Sequence, residues 1–366
     1  MNTIGIGGAG SKIAAALDPD CTVINVSQIE LEKTEAAKRI LAVVHSRAGQ
    51  LQGSRKDPQI GSDAFLSVKE ELLDLARGSL VLSSTGGGTG NGISSGLLRE
   101  LSAHEHLAPP DSSTLGFVLP YPHAEPTEYV NNTIDFLENP LSTAIDSGNT
   151  GNIYLFSNRL KFENRLPEEE FNQQVVDSLK AFLSIPEKNA SSRLLDGHID
   201  YEDFALFQAR PYFNHFTYFT YDPETPFGEQ LEQNYNPFLL EPDSPIEALF
   251  LLEVPKNSDP TCFYDILDYF TEHNVSPVYS VIENPQLRNP YVTVSLLYSR
   301  KPADLVADFQ RVSEEQTEAK VRKALEQNVA LPKLEVNMES EAKRVARKQG
   351  ADEGDVLAIL RRLGKL

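Results

Sequence analysis

The chain has 366 residues, 40% of them hydrophobic, which is enough for a sizeable core and more than one small domain requires. Its formal net charge of −20 excludes broad, non-specific attraction to nucleic acid or anionic lipid and confines any such contact to local patches. The two cysteines, Cys21 and Cys262, have no metal-ligand or C-x-x-C spacing, so each reads as a buried thiol in a reducing compartment and no protein-borne metal site is expected.

No run of 18 apolar residues occurs and the first residues lack a charged and apolar leader pattern, so the expectation is a cytoplasmic protein without a membrane span. From the amino end, a short strand over residues 2 to 6 feeds Gly5-Ile6-Gly7-Gly8-Ala9-Gly10-Ser11, and the apolar residues from Ile13 to Leu17 suit a helix packed on that strand. Cys21 to Asn25 reads as the next strand, Glu30 to Val44 as a charged, weakly amphipathic helix, and Ser67 to Arg77 as another helix.

Leu80 to Ser84 begins the stretch on which the chain is organised. An apolar run is followed by five glycines within Gly86-Gly87-Gly88-Thr89-Gly90-Asn91-Gly92, and helical apolar spacing resumes near Ile93. Glycines let backbone N–H groups approach an anion, and a helix start adds its positive dipole end, so this loop is a candidate phosphate site; a plain strand-to-helix turn is the alternative. It is neither a Walker A loop, since no Lys-Ser or Lys-Thr follows, nor a G-x-G-x-x-G dinucleotide loop by position.

Thr114 to Pro120 and Asn152 to Asn158 read as further strands with a helix over Thr127 to Phe136 between them. Alternating strands and helices over residues 1 to 160 predict an α/β layer with a largely parallel sheet, and the candidate ligand residues fall at strand carboxyl ends. Pro167 to Ile185 is a long helical pattern with three glutamates in its first turn and apolar residues at 171, 175, 176, 179, 182 and 183. Residues 211 to 235 are unusually aromatic and carry no clear period. Strands are expected over Ala248 to Val254, Val278 to Pro285 and Tyr291 to Tyr298, with helices over Phe263 to Phe270 and Ala303 to Gln327.

The loop Gly86 to Gly92 closely resembles the G-G-G-T-G-S/T-G signature of the tubulin/FtsZ family of GTP-binding filament proteins, with Asn91 in place of Ser or Thr. The first loop resembles that family's G-x-G-G-x-G, and Asp57-Pro58-Gln59-Ile60-Gly61 resembles its N-P-E-V-G, the end of a loop that senses the γ-phosphate. Ile282 to Leu287 and Val292-Thr293-Val294 resemble strands of the FtsZ activation domain.

The resemblance implies a Rossmann-like GTP-binding domain at 1–166, a central helix at 167–186, a smaller α+β activation domain at 187–300, a helix at 301–338 and a flexible tail at 339–366. It implies GTP or GDP with Mg2+, held by Gly7, Gly8, Ala9, Gly10, Asn25, Gly86, Gly87, Gly88, Thr89, Gly90 and Asn91. Asn25 stands where the family has the Asn of N-T-D, while Ser27 replaces its acid. Glu125 is the counterpart of a ribose-binding acid, with an exposed loop carboxylate as the alternative. Asn158 suits a guanine or ribose edge, with a turn-forming Asn as its alternative. Phe171 fits the aromatic that stacks on guanine; Val175 occupies the next-turn site, leaving Asn172 or Gln174 to read the base. Arg55 and Lys56 either supply charge to the phosphates or are solvated loop cations.

In the family an acidic loop after the central helix polarises the attacking water on the neighbouring subunit's GTP. Glu202 takes that acid's place here, Asp200 stands for the family's Asn, and Asp203 is a close substitute. The implied activity is a GTPase that forms homopolymer filaments. A non-hydrolysing scaffold is the competing class, and a nicotinamide oxidoreductase is disfavoured by Asn25 and Ser27 at the end of the second strand. The tail holds seven basic against five acidic residues, and Asp355 to Arg362 resembles the D-I-P-A-F-L-R-K/R peptide through which FtsZ contacts division partners, which implies an adaptor protein.

Overall fold

A computed structural model describes residues 1–46, 49–103, 111–299 and 302–326. The first part of the chain alternates β1 (Thr3–Ile6), α1 (Gly7–Leu17), β2 (Thr22–Asn25), α2 (Gln28–Lys33), β3 (Lys38–Leu41), the small hairpin β4 (His45–Ser46) and β5 (Gly49–Gln50), α3 (Pro58–Phe65), α4 (Lys69–Ala76), β6 (Leu80–Ser84), α5 (Gly88–Ala103), β7 (Thr114–Leu119), α6 (Thr127–Phe136), α7 (Ser142–Ser147), β8 (Ile153–Ser157) and α8 (Arg159–Glu163). There follow α9 (Glu168–Leu183), α10 (Ile185–Ser191), β9 (Arg193–Gly197), α11 (Tyr201–Gln208), β10 (Phe213–Thr220), α12 (Phe227–Gln233), β11 (Pro245–Val254), α13 (Phe263–Glu272), β12 (Val278–Glu283), β13 (Tyr291–Tyr298) and α14 (Pro302–Glu326). Among the described residues no helix is long and apolar enough to cross a membrane.

Eleven strands form one sheet in the order β3-β2-β1-β6-β7-β8-β10-β13-β11-β12-β9. The run from β3 to β10 is parallel; β13 lies antiparallel to both β10 and β11, β12 runs parallel to β11, and β9 closes the edge antiparallel to β12. The two halves of the sheet meet at β8 and β10 through the single register pair Ile153 and Phe213. Residues Met1–Thr317 form one compact unit.

Parallel strands covered on both faces must be apolar on both. In β6, Val81 packs into one core with Ile4, Ile93 and Leu97, while Leu80 and Leu82 point to the other core. The apolar stripe of α9 is buried at Phe171, Val175, Val176, Leu179 and Phe182, and it packs in a core that also takes Val23 and Leu82 from the first half and Phe216, Leu251 and Ile282 from the second. A third core, around Phe250, Phe270 and Val294, lies with α12 and α13. The aromatic segment that carried no period becomes β10 and α12, its rings divided among the three cores, Phe213 in the first, Phe216 in the second and Phe219, Tyr221 and Phe227 in the third.

Three local expectations need correction. The helix expected over Glu30 to Val44 is the six-residue α2 followed by the parallel edge strand β3, because pairing with β2 satisfies the Lys38–Leu41 backbone and lets Ile40 join the core. The helix after the glycine loop starts at Gly88, not near Ile93. Two of its glycines, Gly92 and Gly96, serve close packing on α3: a Cβ on Gly92 would lie 2.1 Å from the Pro58 carbonyl oxygen, and one on Gly96 would lie 2.5 Å from the Phe65 ring. These contacts override the poor helix propensity of glycine. The acidic loop expected after the central helix is the end of β9, a three-residue link at 198–200 and the first turn of α11.

Candidate nucleotide site

Strands β1 and β6 lie side by side, so the turns at their carboxyl ends come together. Helix α1 starts at Gly7 and α5 at Gly88, and both helix starts face a cavity of about 370 Å³. Unpaired N–H groups and two helix dipoles therefore converge on one volume, which favours an anion of phosphate size. Gly8, Ala9, Gly86, Gly87, Gly88, Thr89 and Gly90 line it.

The glycines divide by what a Cβ would meet. At Gly8 it would find only a Glu30 carboxylate oxygen at 3.4 Å, and at Gly87 only the Ser84 hydroxyl at 3.8 Å, so both stand over open space. Gly88 packs on protein instead: its Cβ would fall 2.6 Å from the Asp57 nitrogen and the Ser54 Oγ. Gly7 and Gly10 line no part of the cavity; Gly7, at φ +72°, packs on Gly90, and Gly10 packs on the Leu82 carbonyl. The two classes look identical in sequence.

Asn91 also turns away from the cavity. Its amide donates to the main-chain oxygens of Thr85 at 2.6 Å and Asn132 at 2.9 Å, and its Oδ1 accepts from the Ser95 hydroxyl at 3.2 Å. Asn132 in turn donates to the carbonyls of Gly86 at 2.9 Å and Lys56 at 3.1 Å. The glycine loop, α6 and the loop over 54–57 are thereby tied into one polar network.

At the far end of the cavity, Glu125 accepts from the Tyr121 N–H at 2.6 Å and from the Asn158 amide at 3.1 Å. The two residues line the cavity as a pre-bonded pair, with free oxygen and amide capacity for a hydroxylated ligand. Phe171 and Asn172 line it from the start of α9, and Gln174 does not. The Phe171 ring is only 2% exposed and packs edge-on to Phe238 at 5.8 Å between centroids. Main-chain bonds between Ser157 and Phe238, and between Leu155 and Leu240, fix that wall on β8.

Asn25 lines an adjoining cavity of about 550 Å³. Its Oδ1 accepts from the Ser27 N–H at 3.2 Å, and its amide donates to Glu30 at 2.7 Å, which sets Glu30 in the wall common to both cavities. The sequence gives no signal for Glu30, nor for Ser54, Tyr129, Lys161 and Glu168, which also line the main cavity. Lys12 of α1 bonds Glu168 of α9 at 2.7 Å, and this bond holds the Glu168 carboxyl below its ordinary pKa. The cysteines stay clear of the site: Cys21 is buried and its thiol is pushed up to about 11 by burial.

The acids of α11 stand elsewhere. Tyr201, beside Glu202, lines a separate cavity with Thr3 and Thr114, at the amino ends of β1 and β7, and with Leu183 at the end of α9. The 16 residues of α9 span roughly 24 Å at 1.5 Å per residue, from Glu168 at the glycine-loop cavity to that opposite edge. Asp200 caps α11, its carboxylate accepting at 2.8 Å from the N–H groups of Glu202 and Asp203, while Asp203 bonds back to the Asp200 N–H. The Glu202 carboxylate has no part in this capping box. His198, Asp200 and Asp203 also bring possible ligand atoms within 4.8 Å of one another, remote from the glycine loops.

No protein-family model matches this chain, and no curated protein matches it. Solved structures do, across most of its length. A GTPγS-form protofilament of TubZ from Bacillus thuringiensis serovar israelensis has a TM-score of 0.69 at 14% identity, covering 88% of this chain and 94% of that one. CetZ2 from Haloferax volcanii, as a GTPγS-bound protofilament, has a TM-score of 0.62 at 15% identity, covering 87% and 99%. An FtsZ dimer from M. jannaschii has a TM-score of 0.58 at 17% identity, covering 81% and 87%. At these identities the likeness establishes a tubulin/FtsZ-type fold.

Proposed function

We propose that this chain is a GTP-binding protein that assembles head to tail and hydrolyses GTP where two copies meet. The observation that carries the reading is the separation of two half-sites. A cavity built from two glycine loops lies at the carboxyl edge of the sheet, and a free carboxylate, Glu202, lies beyond the other end of α9. A copy stacked head to tail would set its Glu202 against the next copy's nucleotide, where it could orient or deprotonate water. Protofilaments of TubZ and CetZ2 with the same fold support this arrangement.

Phosphates would lie on the N–H groups around Gly8 and Gly87, the ribose against Glu125 and Asn158, and the base near Phe171 and Asn172. Magnesium fits the donor set on the phosphate side: Glu30 offers a hard anionic oxygen beside Gly8, and would share the ion with phosphate oxygens and water. When bound, the ion would offset phosphate charge.

A second reading, a GTP-binding scaffold that does not hydrolyse, is favoured by the use of Asp200 and Asp203 as a helix cap, which leaves Glu202 as the sole unengaged acid of the three. The two readings part in one experiment: light scattering and phosphate release followed together with GTP, GDP and ATP over a range of protein concentration. The assembling GTPase gives GTP-specific scattering and turnover per chain that rises above a threshold concentration; the scaffold gives scattering with no release. Constant turnover from dilute to concentrated protein rules out a shared site.

The tail at 339–366 lies outside the described residues. We propose it as a docking peptide for an adaptor protein in the cytoplasm, on the strength of its mixed charge and the resemblance of the Asp355 to Arg362 sequence to the FtsZ partner peptide. Its deletion should leave nucleotide binding intact and abolish capture of that partner.

A further inference from the structure

We propose that Lys56 is the counter-charge by which the cavity tells a nucleoside triphosphate from the diphosphate. This rests on the nucleotide reading above and assigns a specificity residue within it. Lys56 lines the cavity beside Ser54, and the loop that carries it lies directly against Gly88, where α5 begins. That places its cation at the phosphate end, away from Phe171 and Asn158.

The backbone here is strained in a way a plain surface turn does not require. Arg55 at φ 53° and Lys56 at φ 65° are consecutive non-glycine residues in the left-handed region, and each such residue costs roughly 1 to 2 kcal/mol. Among the described residues no other two neighbours share that conformation. Glycine or asparagine would form the same turn at less cost, yet two long cations stand there. The Asn132 amide holds the Lys56 carbonyl to the same network as the Gly86 carbonyl, so the conformation is fixed with respect to the glycine loop.

The ammonium itself is unspent. It rests 5.0 Å from the centre of the Tyr129 ring, which packs on Gly86, and among the described residues it is in no salt bridge. The acids lining the cavity have partners: Glu30 is bonded to Asn25, Glu125 to Asn158, and Glu168 to Lys12. The other lining cation, Lys161, rests 5.9 Å from the centre of the Phe162 ring, on α8 just after Asn158 and so at the opposite end from Gly86. A lysine parked on an aromatic face over a cluster of N–H donors can turn to an added phosphoryl group at little cost. It acts there as a point charge where N–H groups alone would be saturated by two phosphates.

The test compares affinities of the full chain for GTPγS and GDP by calorimetry, in the wild type and in K56Q, K56G, K56R and R55Q. Lys56→Gly relieves the left-handed backbone while removing the charge, so it separates charge from strain; Arg55 does not line the cavity and serves as the control. The expected result is a loss of roughly ten- to hundredfold for GTPγS in K56Q and K56G, with GDP affinity unchanged, near-wild-type binding in K56R, and no effect in R55Q. Equal losses for both nucleotides, or GTPγS affinity that survives Lys56→Gly, overturn the assignment while leaving the nucleotide site standing. A wild-type chain that binds neither nucleotide overturns the site and the assignment together.

Discussion

Asn91 donates its side-chain amide to the Asn132 carbonyl at 2.9 Å, and through that bond a glycine-loop residue holds α6 in place without touching the cavity. The same amide reaches the Thr85 carbonyl at 2.6 Å, which a serine or threonine hydroxyl could not do together with the first bond, having one proton to give. The residue that departs from the G-G-G-T-G-S/T-G pattern is thus explained by a second donor requirement. Asn91→Ala should leave two carbonyls short of a partner and lower the unfolding free energy by about 1 to 3 kcal/mol in urea titration. Asn91→Ser, with one donor, should fall between. A fully stable Asn91→Ala would show that the network carries no weight.

Valine at Gly87 and at Gly88 should give opposite failures. A side chain at Gly87 enters open cavity, so Gly87→Val should keep the wild-type melting temperature and lose nucleotide binding. At Gly88 the same change meets the Asp57 backbone, so the folded state itself should suffer, with a melting temperature several degrees lower. Intact nucleotide affinity in folded Gly87→Val is the outcome that would falsify the cavity assignment.

The three acids near α11 should separate cleanly. Asp200→Asn keeps a cap acceptor and should change neither stability nor GTP turnover, whereas Asp200→Ala should cost about 1 kcal/mol of stability through the lost cap. Glu202→Gln should leave stability and GTP binding alone and slow phosphate release by about a hundredfold, prolonging the scattering signal. If Glu202→Gln turns over normally while Asp203→Asn does not, the role passes to Asp203.

Histidine 215 gives the fold a defined acid limit. It is fully buried, with Nδ1 2.8 Å from the Leu240 carbonyl and Nε2 accepting from the Asn236 N–H at 3.0 Å, so the ring is held neutral with the proton on Nδ1. Burial pulls its pKa down to about 4. The unfolded chain takes up a proton near pH 6.5 and the folded chain does not, so stability is full above that value and falls as pH drops toward 4, by about 3 kcal/mol across the window. Urea unfolding of the wild type and of His215→Gln, at neutral pH and near pH 5, should show a less stable variant whose acid dependence is shallower. Parallel pH profiles would remove His215 as the cause. The residue clamps the 236–240 segment that presents Phe238 to Phe171, and because the folded ring stays neutral until about pH 4, this clamp on the cavity wall should hold across the window and give way only as pH approaches 4.

What the sequence determined by itself was whatever local chemistry dictates. Two strand, glycine and helix units mark their own turns, because only glycine lets a backbone approach so closely, and the stripe of α9 from Phe171 to Phe182 appears at helical spacing because one face of that helix must be buried. The tertiary structure decided what depends on atoms far apart in the chain. It alone separates Gly8 and Gly87, which face open cavity, from Gly7, Gly10 and Gly88, which pack on backbone; it turns 38–41 into an edge strand because β2 offers it hydrogen bonds; and it spends Asp200 on a helix cap. Glu30 and Tyr129 reach the cavity only because α2 and α6 fold over loops more than twenty residues away in sequence. No spacing records that approach, since a side chain's neighbours across a sheet edge are set by packing and not by its place along the chain.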